Sequence, residues 1–306
     1  MSQNASGQNA SSQNGTVQYR RARAWQIILT ATSGMVGMSF YFLTGMASYS
    51  ANVGFGIATL AVGGILTFTR VFDAITDPLL AFVYDKVNTR FGKIRILLAA
   101  GWLIMVFAVL EMYNWAAGKG HGVVMYIALY VIYIIGYTLF NMTSQTVGPL
   151  MTNDPKQRPI VGVVGTVFNY LVPITMNLIA FTQLMPKYGG YTLEFLAAAC
   201  WLTIGISAVG LVLTCIGVSE FDKPENFVGV TARKAKLKAK DMLDVLRNNR
   251  PLLCFIASGA SDKIAQQVAS QSIVSTMLFG IIIGDMAIST TLSTIGMIPS
   301  ILFVFV

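Results

Sequence analysis

Apolar runs of about 20 residues, the length of helix that crosses the hydrocarbon core of a bilayer, recur along this chain. They fall at roughly 25–49, 56–83, 95–115, 123–149, 161–184, 193–218 and 252–282, and an eighth begins near 286 and is still running at Val306. Backbone in lipid must satisfy its own hydrogen bonds, so such runs are helices. The pattern therefore predicts an all-α, polytopic membrane protein. Six spans with short connections come first, a long hydrophilic stretch follows, and then the apolar pattern restarts.

That order predicts four parts. Residues 1–18 form a disordered tail, because the repeated Ser-Gln-Asn-Ala theme has too little apolar surface to offset the entropy of ordering. Residues 19–218 form an N-terminal six-helix bundle, 219–250 a cytoplasmic basic linker, and 251–306 the start of a second bundle that lacks most of its length. Within the linker, Val230 to Arg250 mixes basic residues with Leu237, Met242, Leu243, Val245 and Leu246. This mixture suits an amphipathic helix along a membrane surface.

Composition agrees with the pattern. Hydrophobic residues make up 55% and charged residues 11% of the chain, and the mean hydropathy is +0.64, whereas soluble domains carry about a quarter charged residues. The formal charge of +8 reports orientation. With the amino terminus inside, basic residues gather at Arg20–Arg23, Lys86–Arg95, Lys156–Arg158 and 219–250, and only Lys119 and Lys187 fall outside. This is the positive-inside rule. It places a multi-pass protein in an inner or plasma membrane with its amino terminus in the cytoplasm, and it leaves no case for nucleic acid as a partner.

No enzyme constellation stands in any loop, and no cofactor is expected beyond a coupling cation. Cys200, Cys215 and Cys254 lie in or beside apolar spans without metal-type spacing and read as small core residues. His121 sits between glycines in an outside loop and reads as solvated.

The chemistry concentrates in the second span, at Thr69-Arg70-Val71-Phe72-Asp73-Ala74-Ile75-Thr76-Asp77-Pro78. Charges at bilayer depth are costly and usually functional. Asp73 and Asp77 are one helical turn apart on one face, with Arg70 three residues before Asp73. Pro78 has no amide hydrogen, so the carbonyl of Ala74 loses its helical partner between the two acids. Two carboxylates and a free carbonyl fit a sodium-like ion or a shared proton.

Other polar groups interrupt the spans. Thr138, Asn141 and Gln145 make a stripe on the fourth, with amides able to bond hydroxyls. Asn169 and Asn177 share a face of the fifth, on either side of Pro173, and suit either a cavity wall or helix-to-helix hydrogen bonds. Tyr41, Thr44 and Ser48 on the first read as packing. Asp262 and Lys263 on the seventh are candidates for the second bundle's share of a central cavity. Asp85, Arg90, Gly92 and Arg95, between the second and third spans, combine a turn-forming glycine with ions able to pair between bundles as a gate.

The stretch Arg70-x-x-Asp73-x-x-x-Asp77-Pro78, followed by Asp85-Lys86-Val87-Asn88-Thr89-Arg90-Phe91-Gly92-Lys93-Ile94-Arg95, resembles the signature of the glycoside/pentoside/hexuronide cation symporters. These form the melibiose-carrier branch of the major facilitator superfamily. Tyr19-Arg20-Arg21-Ala22-Arg23-Ala24-Trp25-Gln26 and Asn153-Asp154-Pro155-Lys156-Gln157-Arg158 resemble it too. The resemblance implies a major facilitator fold, cation-coupled symport of a sugar or glycoside by alternating access, and a monomer. It implies a monovalent cation, sodium or a proton, bound at Asp73 and Asp77 with Thr138 nearby. It leaves Asn141, Gln145, Asn169, Asp262 and Lys263 for the substrate, and Arg70, Asp85, Arg90, Gly92 and Arg95 for gating or structure.

The chain also departs from that branch. Asn141 stands where the melibiose carrier has a sugar-binding acid, Met35 and Val36 offer no second acid, and an arginine of the fifth span is replaced near Gly165 or Thr166. A carrier of lysolipid or another non-sugar solute, and a transporter-like sensor, are the alternatives.

Overall fold

The computed structural model describes residues 21–87, 92–223 and 249–269, with isolated positions 282, 283, 288, 292, 295 and 299. The tail, Arg90, the segment 224–248 and most of the chain after Ala269 lie outside the described residues. The described elements are helices: α1 (Ala24–Ala31), α2 (Ser33–Gly45), α3 (Ala47–Tyr49), α4 (Thr59–Lys86), α5 (Ile94–Leu110), α6 (Gly122–Met151), α7 (Arg158–Ile179), α8 (Met185–Lys187), α9 (Leu193–Val218) and α10 (Arg250–Ala269).

Among the described residues, five stretches are long and apolar enough to cross a membrane: Ala24–Gly45, Ile94–Trp115, Gly122–Met151, Arg158–Lys187 and Leu193–Val218. The second expected span is also helical, but α4 carries Arg70, Asp73, Asp77, Asp85 and Lys86, which interrupt its apolar sequence. At 28 residues it is about 42 Å long, which exceeds the roughly 30 Å hydrocarbon core. The charges thus occupy a helix that neighbours must shield. Of the expected seventh span the described part is α10.

The first span differs from the continuous helix its apolar run predicts. It breaks at Thr32, between α1 and α2. The Thr32 hydroxyl contacts the Leu29 carbonyl at 2.5 Å, the Gly210 carbonyl at 3.0 Å and the Thr214 hydroxyl at 3.0 Å. Such side-chain bonds compete with the helical ladder. They also fasten the break to α9, whose Gly210 brings its backbone against Thr32.

A close backbone crossing joins α5 and α6. A Cβ on Gly136 would meet the Gly101 carbonyl oxygen and the Met105 nitrogen at 2.9 Å, and one on Gly101 would meet the Phe140 nitrogen at 2.8 Å. Small residues permit such approach in lipid, where packing rather than hydrophobicity joins helices. Backbone atoms cannot rotate aside as side chains do. Gly136→Leu is therefore expected to cost at least about 3 kcal/mol, the upper range for overpacking, and to remove the monodisperse species from size-exclusion profiles of detergent extracts.

Along α6, Tyr126, Tyr130, Tyr133 and Tyr137 form a column with successive ring centroids 5.9, 5.9 and 6.0 Å apart. Hydroxyls bond this side of the bundle to the first span: Tyr113 to the Leu43 carbonyl, Tyr126 to the Ala47 carbonyl and Tyr133 to the Thr44 hydroxyl. Thr44 thus serves packing, as its place in the sequence suggests. Wide π-helical turns follow at Ser50–Gly54, Glu111–Trp115 and Ala180–Leu184.

Side chains bind the connections at the opposite, basic end. Arg21 Nε lies 2.5 Å from Asp154 Oδ2, the Ala22 amide donates to Gln157 Oε1, and Gln157 Nε2 donates back to the Ala22 carbonyl. Gln26 Nε2 donates to Glu220 at 2.5 Å. Asp222 is buried and accepts from the backbone amides of Lys93, Ile94 and Arg95 at 2.8, 3.0 and 2.9 Å, with Arg95 Nε at 3.3 Å. A carboxylate from beyond α9 thereby caps the first turn of α5, where free amides and the helix dipole favour negative charge. Gly92, at φ +99°, leaves the room: a Cβ there would collide with the Asp222 carboxylate.

Candidate functional site

The acids of α4 meet the rest of the bundle through α6. Thr138 Oγ1 donates a 2.9 Å hydrogen bond to Asp73 Oδ1. Asp77, one turn further along α4, interacts with both the Asp73 carboxylate and the Thr138 hydroxyl. Asp73 is half-buried and Asp77 exposed. Thr76 Oγ1 donates to the Asp73 carbonyl at 3.0 Å, which fixes the backbone between the two acids. Two carboxylates and a hydroxyl within reach of each other form an all-oxygen donor set, the kind that suits a hard cation. Arg70 and Asp85 stand on α4 and Pro78 follows Asp77; their side chains lie outside the described ones.

Residues of α1, α2, α6 and α7 line a cavity of about 350 Å³, within the range of small-molecule sites, and α6 is the helix it shares with the Thr138 contact. From α6 it receives Tyr137, Asn141, Ser144 and Gln145; from α7, Thr166 and Asn169. The structure thus brings Asn141, Gln145 and Asn169, three of the candidate substrate residues, to one cavity. The first span contributes Ser33 and Gly34, next to the break at Thr32. Helical period puts Thr138, Asn141 and Gln145, three and seven residues apart, along one stripe of α6. Thr138 bonds Asp73 of α4, and Asn141 and Gln145 further along line the cavity.

Several candidates stand elsewhere. Asn177 Nδ2 donates to the Pro173 carbonyl of its own helix at 2.7 Å, so it is occupied within α7 and does not line this cavity. Asp262 and Lys263 are exposed on α10, and neither lines the cavity. Arg95 and Gly92 are candidates for a gate between bundles. Their partner is Asp222, four residues past the end of α9, so the Arg95 ion pair closes within the first six spans. Cys200 is buried as expected of a core residue, whereas Cys254 on α10 is exposed.

The sequence reading missed Thr32, Gly34, Asp154, Gln157 and Asp222 as organising residues. Thr30-Ala31-Thr32-Ser33-Gly34 carried a signal, since hydroxyl side chains and glycine together mark a helix interruption. Nothing in local sequence identifies Asp222 as the cap of a helix that begins more than a hundred residues earlier. At Asp154, outside the spans, the hydrogen bond from the Lys156 amide, together with Arg21, holds the carboxyl below its usual range against the opposing effect of burial. The charged form is the one the fold favours there, so that favourable contribution persists at neutral pH and is lost only as the medium falls through the lowered value.

Comparison with known proteins places these observations in a family. Residues 27–306 match the family described as MFS/sugar transport protein. A glucuronide carrier protein homolog of Escherichia coli is 29% identical over 241 residues, 76% of this chain and 50% of the relative. An inner membrane symporter of Escherichia coli is 31% identical over 105 residues, 34% of this chain and 23% of the relative. An isoprimeverose transporter of Lactiplantibacillus pentosus is 23% identical over 220 residues, 71% of this chain and 45% of the relative. The chain spans about half the length, or less, of these curated relatives. With the family matched over nearly its whole length, on an all-α bundle of apolar spans, this chain belongs to the MFS/sugar transport protein family.

Proposed function

We propose that this chain carries the first bundle of a cation-coupled sugar symporter working by alternating access. The observation that carries the reading is the Thr138 to Asp73 hydrogen bond on the same helix that offers Asn141 and Gln145 to the cavity. A cation held by Asp73, Asp77 and the Thr138 oxygen would draw α4 and α6 together, and α6 forms the sugar wall. Coupling follows from cost. Two carboxylates against a single arginine on the same helix carry excess negative charge that is expensive to enclose away from water, and amides without partners are expensive too. The cation and the sugar each relieve one of these costs, so closure over both is favoured over closure around either alone.

Amides and hydroxyls on the cavity wall are donors and acceptors suited to a polyhydroxyl solute, and this favours a sugar over a lysolipid. The relatives' names point the same way. The basic end, with Arg21, Arg23, Lys93 and Arg95, is proposed to face the cytoplasm.

Uptake by the full-length protein in membrane vesicles tests the reading. The panel is labelled methyl glucoside, methyl xyloside and glucuronate, with and without an imposed sodium or proton gradient. Accumulation of at least one sugar only with a gradient is expected, and Asn141→Ala should raise its half-saturation concentration roughly tenfold, the worth of one or two hydrogen bonds. Affinity should change when sodium is replaced by lithium or protons. Equal uptake with and without every gradient would exclude symport.

A further inference from the structure

We propose that Gly34 is a specificity-determining position that acts by positioning the Asn169 amide, an inference that rests on the cavity being the sugar site. The two residues come from different spans, Gly34 from the start of α2 and Asn169 from α7, and both line the cavity. A Cβ on Gly34 would occupy the place of Asn169 Oδ1 and would stand 3.4 Å from its Cγ and 3.8 Å from the Gly165 carbonyl oxygen. The Asn169 side chain therefore lies directly against the α2 backbone, in room that only glycine leaves.

The opposite face of the break cannot yield. Thr32, two residues before Gly34, is held to α9 through the Gly210 carbonyl and the Thr214 hydroxyl, and Gly210 has the Thr32 carbonyl 3.0 Å from its own Cβ position. The first span is thus fixed from behind by α9. A methyl group at position 34 has to be absorbed in front, by the far end of a flexible side chain. Rotation of Asn169 costs the fold little, since side-chain torsions have alternative staggered wells. It costs the site its geometry, because the amide then presents different groups to the cavity.

The same argument separates Gly34 from an ordinary packing glycine. At Gly101 and Gly136 the colliding atoms are backbone, and substitution there acts on folding. At Gly34 the colliding atom belongs to a side chain on the cavity wall, so substitution acts on recognition.

The test uses the full-length protein and, as probe, whichever of methyl glucoside, methyl xyloside and glucuronate the unsubstituted protein takes up best. Gly34→Ala is expected to raise the half-saturation concentration roughly tenfold, the scale of one lost hydrogen-bonding group, with folded protein and the cation concentration needed for half-maximal uptake unchanged. Asn169→Ala should do the same, and the double variant should be no weaker than Asn169→Ala alone, because Gly34 has no effect once the amide is gone. Gly205→Ala, on α9 with open space at its Cβ position and away from the cavity, controls for adding a methyl to a spanning helix.

Unchanged affinity in Gly34→Ala overturns the proposal, as do additive losses in the double variant. Loss of folded Gly34→Ala beside normal Gly205→Ala makes the position structural and overturns it as well. If Asn141→Ala weakens uptake while Gly34→Ala and Asn169→Ala do not, the sugar cavity stands and only this inference falls; if none of the three matters, both fall.

Discussion

Asp77→Ala is expected to abolish sugar accumulation driven by a sodium or proton gradient while leaving the amount of folded protein unchanged. The carboxylate is exposed, so its removal opens no cavity and strands no buried partner, and surface changes of that kind move stability by about 0.5 kcal/mol or less. Its loss matters because Asp73 alone, already bonded by Thr138, offers one negative charge where the pair offers two. A monovalent cation would then face a single carboxylate in competition with water. The measurement is uptake in energised vesicles beside size-exclusion of the extracted protein. Gradient-driven accumulation at the unsubstituted level would remove the α4 acids from the coupling mechanism.

Asp222→Ala should act on the opposite property. The buried carboxylate accepts three backbone amides at the start of α5 and pairs with Arg95, so truncation strands several donors at once. Breaking a buried pair costs about 3–5 kcal/mol; Arg95 is 35% exposed and regains water, which puts the expectation near the low end, about 3 kcal/mol. The unfolding midpoint should drop, and uptake should fall only in proportion to the folded protein that remains. An unchanged midpoint would show that the first turn of α5 is capped by water instead. The two substitutions together separate coupling from construction: one carboxylate is dispensable for folding and needed for driving, the other the reverse.

These roles explain why the stretches that resemble the symporter signature are scattered along the chain. Arg21, Ala22, Asp154 and Gln157 are more than a hundred residues apart in sequence, yet they form one clasp between the start of the first span and the turn before the fifth. Gly92 and Arg95 close on Asp222 in the same way. These described parts of the signature outside α4 tie connections at the basic end, and of the charged candidates for a gate Arg95 takes part in that tie.

Much of the architecture was legible beforehand because a bilayer imposes simple rules. Apolar runs near 20 residues have to be helices, and charges within one of them have to be shielded or used. Asp73, Asp77 and Thr138 follow from that cost and from the resemblance, and the polar stripe of Asn141 and Gln145 follows from helical period. Asp262 and Lys263, exposed on α10, belong by expectation to a second bundle most of which lies outside the described residues. A charge pair on an apolar helix signals a need for partners, but not where they stand.

The sequence by itself determined the helices, the basic end and the anomalous acids of α4, since these depend on local hydropathy and on spacing along one helix. Tertiary structure alone decided that Thr138 bonds Asp73, that Asn141 and Asn169 share a cavity, that Thr32 interrupts the first span against α9, and that Asp222 caps α5. The physical reason is distance along the chain. Each of these contacts joins residues from different helices, and which helices lie side by side is set by close backbone crossings such as Gly101 with Gly136, which one helix's own pattern does not specify.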